Sequence, residues 1–305
     1  MSLQRPHASL FPGFEPHRIE VEPGVRIAAL VGGAGPPLLL LHGHPQTSAI
    51  WHAVAPELAR TRTLVLADLR GYGDSDKPAG LADHANYAKR TMARDQVRLM
   101  QALGFERFDV LAHDRGARVA HRLGVDAPER VGRMVLLDVA PTLAMYEQTS
   151  QDFATAYWHW FLLIQPAPLP ERLIEADPAA YVREVIGRRS AGLAPFAPAA
   201  LAEYERCIAL PGAAHGLCED YRAAAGIDLA HDRADREAGR RLRTPTLVLW
   251  GEQGVVHRCF RPLQEWQRVA LEVRGEPLAC GHYIAEEAPA LLLRHVQAFL
   301  AETQT

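Results

Sequence analysis

A carboxylate is the side chain in this sequence best placed for covalent chemistry. Asp114 follows the apolar run Val110-Leu111-Ala112 and precedes a small, Gly-containing turn and a helical run from Ala117 to Leu123. This is the setting of a nucleophile carried on a sharp strand-to-helix turn. The residue type then restricts the reaction, because a covalent intermediate is useful only if it can be broken down again. A hydroxyl attacking an sp³ carbon would leave an ether, which water does not readily cleave. A carboxylate attacking the same carbon leaves an ester, and water can attack its carbonyl to release an alcohol and restore the acid. Alkyl halides and epoxides are the substrates that fit. The competing reading makes Asp114 an N-cap of the helix that follows it, a common role for Asp.

Breakdown of such an ester needs a base to activate water, and the sequence offers one in a loop before the final helical segment, His282 in Cys280-Gly281-His282-Tyr283. An acid must orient that histidine. Asp138, at the end of the run Met134 to Leu137, is preferred over Glu252, which follows the run Leu247 to Trp250, because the position where a Gly-x-x-Asp arrangement would place a carboxylate is Gly254. The alternative role for Asp138 is to cap a turn at a strand end. Two backbone N-H groups should face the developing oxyanion. His42-Gly43-His44-Pro45, directly after Leu38 to Leu41, supplies one, and the amide of Arg115 the other. The glycine-rich stretch from Asp68 to Ser75 is assigned a structural role.

Arg115 and Arg118 lie three apart at the start of the helix, so both can turn toward one site where the helix N-terminus also favours an anion. Arginine's planar fork suits a carboxylate, and these charges should keep Asp114 ionised. The bland alternative is a pair of solvated surface arginines.

Short apolar runs must position these groups: Leu38 to Leu41, Leu64 to Ala67, Val110 to Ala112, Met134 to Leu137 and Leu247 to Trp250, with helical segments between them. Runs of this kind suit strands buried on both faces of a parallel sheet and predict an α/β fold. From Asp138 to Thr244 the character changes to aromatic clusters and proline punctuation with no evident strand. The predicted organisation is a core domain of residues 1–140 and 241–305, with a helical cap, 141–240, inserted between its halves.

With 305 residues, 48% of them hydrophobic, the chain can bury a large core. Its 33 Lys plus Arg against 36 Asp plus Glu give a net charge of -3, which excludes a broad basic surface for nucleic acid. The four cysteines, Cys207, Cys218, Cys259 and Cys280, show neither zinc spacing nor a disulfide framework, which fits a reducing cytoplasm. The first twenty residues lack the pattern of an export signal, and no run reaches the roughly 18 apolar residues of a membrane span. No metal or organic cofactor is expected.

The chain resembles the fluoroacetate and haloacetate dehalogenases of the α/β-hydrolase superfamily over nearly its whole length. The matching segments are HGHPQT at 42–47, HDRGARVAHRL at 113–123, HWFLLIQPAPLPE at 159–171, CEDYRA at 218–223 and GHY at 281–283. The resemblance implies an α/β-hydrolase fold with a mostly parallel sheet flanked by helices, and a homodimer. It implies Asp114 as nucleophile, His282 as base, Asp138 as acid, Arg115 and Arg118 as a carboxylate clamp, and a halide pocket from His159, Trp160 and Tyr221. Such a pocket makes physical sense, since fluoride leaves with concentrated charge that N-H and O-H donors stabilise.

Two positions depart from the family pattern: His44 stands where phenylalanine is usual, and Met145 stands in register with a cap tyrosine displaced to Tyr146. Both should line the pocket, and a polar or cationic side chain at 44 should alter its water, size or preferred halogen. The reading is hydrolysis of a 2-haloacetate to glycolate and halide. The rivals are an epoxide hydrolase using cap tyrosines (Tyr157, Tyr181, Tyr204, Tyr221) and a non-catalytic carboxylate-binding protein.

Overall fold

The computed structural model describes residues 10–189 and 191–302, so the expectation drawn from the first twenty residues falls partly outside the described chain. The strands are β1 (Glu15–Glu22), β2 (Val25–Gly33), β3 (Pro37–Leu41), β4 (Thr63–Ala67), β5 (Phe108–His113), β6 (Val131–Leu137), β7 (Thr246–Gly251) and β8 (Val273–Leu278). They form one eight-stranded sheet in the order β1-β2-β4-β3-β5-β6-β7-β8. β2 runs antiparallel to β1 and β4, and every pairing from β4 across to β8 is parallel. The α/β class with a mostly parallel sheet is the one expected.

The apolar runs of the sequence are β3 to β7, and their side chains are sorted by the pleat into two layers. Leu39, Leu41, Val65, Val110, Ala112, Met134, Leu136 and Val248 belong to one apolar cluster. Leu38, Leu40, Leu64, Leu66, Leu111, Val135, Leu137 and Leu249 belong to the other. Because both layers are buried, these strands read as continuous apolar runs rather than as an alternation.

Helices cover the sheet: α1 (Ala55–Leu58), α2 (Lys89–Ala102) and α3 (Arg115–Asp126) in the first half, and α12 (Val255–Cys259), α13 (Pro262–Val269), α14 (Ile284–Glu287) and α15 (Pro289–Ala301) after β7. Between β6 and β7 the chain builds α4 (Thr142–Glu147), α5 (Gln151–Ala156), α6 (Trp158–Leu163), α7 (Leu169–Ala176), α8 (Pro178–Gly187), α9 (Pro198–Ile208), α10 (Ala213–Ala225) and α11 (Ile227–Glu237), with no strand among the described residues. Phe153, Tyr157, Trp160, Tyr204 and Tyr221 of this stretch join the first apolar cluster.

The parallel strands all point their C-terminal ends the same way, so the residues that follow them gather at one edge, where ligands of open α/β sheets bind. His42 follows β3, Asp114 follows β5, Asp138 follows β6, and His282 lies four residues past β8. No helix among the described residues is long and apolar enough to cross a membrane.

Candidate active site

Asp114 sits between β5 and α3 with φ 44° and ψ -110°, a left-handed conformation that costs a non-glycine residue free energy and must be held by its surroundings. Its amide donates to the carbonyl of Leu137 at 3.2 Å. Close packing holds the turn as well: a Cβ on Gly116 would come within 2.5 Å of the His42 carbonyl oxygen, and one on Gly43 within 2.5 Å of the Asp114 Cβ. The Asp114 side chain makes no cap hydrogen bond to α3, which removes the N-cap reading. Oδ2 accepts from the His44 amide at 3.2 Å. Among the hydrogen bonds of the described residues, none reaches Oδ1.

Asp138 takes a similar strained turn, with φ 46°. Its Oδ1 accepts from the Gly251 amide at 2.8 Å and its Oδ2 lies 2.5 Å from His282 Nδ1. The His282 Nε2 is 3.8 Å from Asp114 Oδ2, so one imidazole bridges the two carboxylates. The ring of His113 contacts the His282 carbonyl through Nε2 at 3.0 Å and fixes that segment of backbone. Glu252 is exposed, and the carboxylate on His282 Nδ1 is that of Asp138, so the fallback acid is not the partner of the histidine.

A residue that the sequence reading did not single out enters between them. Arg189, just past α8, places Nη1 at 3.1 Å from His282 Nε2 and 3.8 Å from Asp114 Oδ2, and donates from Nη2 to the His44 carbonyl at 2.6 Å. A guanidinium only donates. The Nε2 facing it is therefore an acceptor, and the neutral His282 ring carries its proton on Nδ1, toward Asp138.

These neighbours set the charge states. Burial pushes the Asp114 carboxyl up, but the His282 ring, then Arg189 and His113, outweigh it and hold the carboxyl well below the usual carboxylate range. The largest of these contributions come from His282, Arg189 and His113 rather than from Arg115 or Arg118, although Arg118 and the Asp114 carboxylate also attract one another. Burial and the Arg189 charge pull the His282 imidazolium down, and contacts with Asp114 and Asp138 offset them, leaving His282 above the ordinary histidine value.

Arg115 and Arg118 are both buried, with 0% and 4% exposure, which rejects the solvated-surface reading. Their forks are not open, however. Arg115 spends Nε on Asp220 Oδ2 at 2.7 Å and Nη2 on the Asp220 carbonyl at 2.9 Å, and its guanidinium lies 4.0 Å from the centre of the Tyr221 ring. Arg118 donates to Ala140 O at 3.2 Å, Thr142 Oγ1 at 2.8 Å and Met145 Sδ at 3.0 Å, all neutral partners, and lies over the Trp160 ring at 4.8 Å. One N-H group on each, Arg115 Nη1 and Arg118 Nε, is buried without a partner. Met145 thus backs Arg118 with its sulfur.

Three more donors are buried and unpartnered: His159 Nε2, Trp160 Nε1 and the Tyr221 hydroxyl. Their rings adjoin, Tyr221 lying 5.9 Å from His159 and 6.1 Å from Trp160. His44 stacks parallel to His159 at 5.5 Å and meets the Tyr181 hydroxyl through Nε2 at 2.9 Å. Burial, followed by the charge of Arg189, holds His44 well below the ordinary histidine value, so position 44 is a neutral ring and not the cation the sequence allowed.

One further residue organises the site. Asp220 of α10, fully buried, receives Arg115, Lys89 and the Tyr72 hydroxyl. It stands inside the CEDYRA segment, a signal present in the sequence. Arg189 had no such signal, being one of 33 Lys and Arg with no motif around it. Among the described residues, no group of three or more His, Cys, Asp or Glu side chains is arranged to hold a metal ion.

The alpha/beta hydrolase fold family model matches residues 36–257. The chain is similar to a fluoroacetate dehalogenase of Burkholderia sp, with 43% identity over 97% of both chains. It is also similar to a soluble epoxide hydrolase of Corynebacterium sp. (strain C12), with 32% identity over 91% of this chain and 94% of that one. Among solved structures, a Nostoc sp PCC 7120 protein provisionally described as an alpha/beta hydrolase superposes with a TM-score of 0.92 at 50% identity, covering 95% of this chain and 99% of its own.

Proposed function

The chain belongs to the alpha/beta hydrolase fold family, and within it we propose that this protein is a haloacetate dehalogenase that hydrolyses 2-haloacetates, fluoroacetate among them, to glycolate and halide. The observation that carries this reading is a buried cation whose hydrogen-bond partners are all neutral, beside donors without acceptors. Arg118 has only neutral partners, and next to it His159, Trp160 and Tyr221 offer three unmatched donors. Buried unpaired groups of this kind are costly, and a substrate carrying a carboxylate and expelling a halide satisfies both sets.

Asp114 Oδ1 displaces halide from the carbon next to the carboxylate held by Arg115 and Arg118, forming an ester. Neutral His159 and the two other donors receive the charge that leaves on the halide. His282, oriented by Asp138, then takes a proton from water as it attacks the ester carbonyl. The oxyanion forms on Oδ2, against the His44 amide 3.2 Å away, with the Arg115 amide as the second donor. Glycolate leaves with the oxygen that had been Oδ1.

We extend the proposal to a cap of residues 141–240 over a core of 1–140 and 241–305, supported by the eight helices from Thr142 to Glu237 with no strand among the described residues. A cytoplasmic location accords with four unpaired cysteines. For a homodimer, Leu169 and Leu173, one turn apart on α7 and more than half exposed, offer an apolar edge.

The epoxide hydrolase reading has one observation in its favour, since the hydroxyls of Tyr146 and Tyr221 are both unpartnered and flank Trp160. Three other tyrosines of the inserted helices are engaged, Tyr157 near His282, Tyr181 on His44 and Tyr204 on Glu286. A neutral oxirane gives Arg118, whose hydrogen-bond partners are all neutral, no anion to bind.

The deciding experiment supplies fluoroacetate, chloroacetate and styrene oxide separately and measures halide and diol, with Asp114→Asn as control. Halide from both acids is expected. Diol without halide would reject the dehalogenase, and no turnover of any substrate would leave a carboxylate-binding protein. In heavy-oxygen water, the first turnover should give glycolate with unlabelled hydroxyl oxygen.

A further inference from the structure

Among the described residues, Arg189 forms one ion pair, with the Asp114 carboxylate at 3.8 Å, and that charge exists in only part of the reaction proposed above. Its guanidinium is otherwise held by neutral acceptors: the carbonyl of His44 at 2.6 Å, the carbonyl of Val185 at 3.3 Å and the His282 Nε2 at 3.1 Å. The rings of Tyr157 and Tyr283 lie 5.5 and 5.2 Å from it. Where Nη1 stands, the lone pair of His282 that must accept a proton from water is already occupied.

We propose that Arg189 is a charge-sensing gate on the base, seated on His282 Nε2 while Asp114 is a carboxylate and withdrawn when Asp114 becomes a neutral ester. The inference rests on the covalent mechanism above. In the first step the C–O bond to Asp114 forms as the carbon–halogen bond breaks, and the negative charge that faced Arg189 leaves with the halide. A buried guanidinium without a counter-charge is strongly disfavoured, and its exit is close at hand. Arg189 also lines a surface cleft with Arg188, Arg258, Gly281 and the half-buried Glu287. Glu287 already accepts from the amides of Gly281 and Tyr283, at 2.7 and 2.9 Å, and is a carboxylate toward which the cation can turn. Withdrawal admits water to Nε2 only after the ester exists. Arg189 is thus a positioning residue that orders the two half-reactions.

Asp114→Asn removes the charge at nearly constant shape and stands in for the neutral ester. Crystals of the full-length Asn variant should show the guanidinium gone from His282 Nε2, and [15N]histidine spectra should move the Nε2 resonance toward that of an unbonded neutral imidazole nitrogen, relative to wild type at the same alkaline pH. Arg189→Met should produce the same resonance shift with Asp114 intact, which keeps the test open if the Asn protein folds poorly. A guanidinium still seated on Nε2 in Asp114→Asn, or a resonance that Arg189→Met leaves unmoved, overturns the proposal. Neither measurement depends on turnover, so a protein that releases no halide fails the functional reading separately from this one.

Discussion

Replacing Asp220 by Asn should cost more than any other single change of similar shape near the site. The carboxylate is fully buried and receives Arg115 Nε at 2.7 Å, the Tyr72 hydroxyl at 2.7 Å and a close Lys89 ammonium. Burial pushes it up, yet Arg115 and Lys89 hold it far below the usual carboxylate range. An amide keeps the shape but offers one acceptor oxygen, so its NH₂ must face a donor, and two buried cations lose their shared counter-charge. Removing one member of a buried ion pair costs about 3–5 kcal/mol. At about 2 °C or more of melting temperature per kcal/mol for domains approaching this size, the transition should drop by roughly 6 °C or more. Asp228 is the internal control. It accepts the Lys89 amide at 2.9 Å and lies 3.6 Å from the Lys89 ammonium, and burial leaves it with a raised pKa, so Asp228→Asn should cost clearly less. Arg115 would also lose a charge-assisted hydrogen bond that orients it, worth about 1.5–3 kcal/mol, so KM for chloroacetate should rise roughly 10- to 100-fold. Thermal melts of both variants with steady-state halide release read these effects. A fall of under ~1 kcal/mol for Asp220→Asn, or equal falls for the two variants, would refute the assignment of Asp220 as shared counter-charge.

Trp160→Phe keeps the ring beneath Arg118 but deletes an unpartnered N-H; loss of one such donor should lower fluoride release by about 10²-fold or more, and chloride release by less, as followed with ion-selective electrodes. The pH dependence should split the two steps. In the free enzyme His282 is raised above its ordinary value by Asp114 and Asp138; the Asp114 contribution is lost in the ester, Asp138 still supports the charged ring, and ester hydrolysis should fail at acid pH once His282 is protonated. Asp114 is depressed, so alkylation should continue. At roughly pH 5–6, where His282 is charged, mass spectrometry should therefore find the carboxymethyl ester accumulating after mixing with chloroacetate, and an unmodified enzyme that still turns over would contradict the assignment.

The sequence determined which residues stand at strand ends. Interior strands β3 to β7 are buried on both faces, so they are legible as apolar runs, and whatever follows such a run in a parallel sheet lies at its C-terminal edge. Asp114 and Asp138 could be read that way, and His282 from its place before the final helix. The edges could not. β1 and β8 pair on one side only, and polar residues such as Glu20, Arg274 and Glu276 leave no uniform apolar signal. Burial sorted the arginines: Arg115 and Arg118 were visible because they adjoin Asp114 in sequence, whereas Asp220 and Arg189 reach the site from helical segments far along the chain. Which N-H groups remain free, and which cation faces Asp114, depend on packing between the sheet and those helices. Local spacing carries no record of such long-range contacts, so only the tertiary structure decided them.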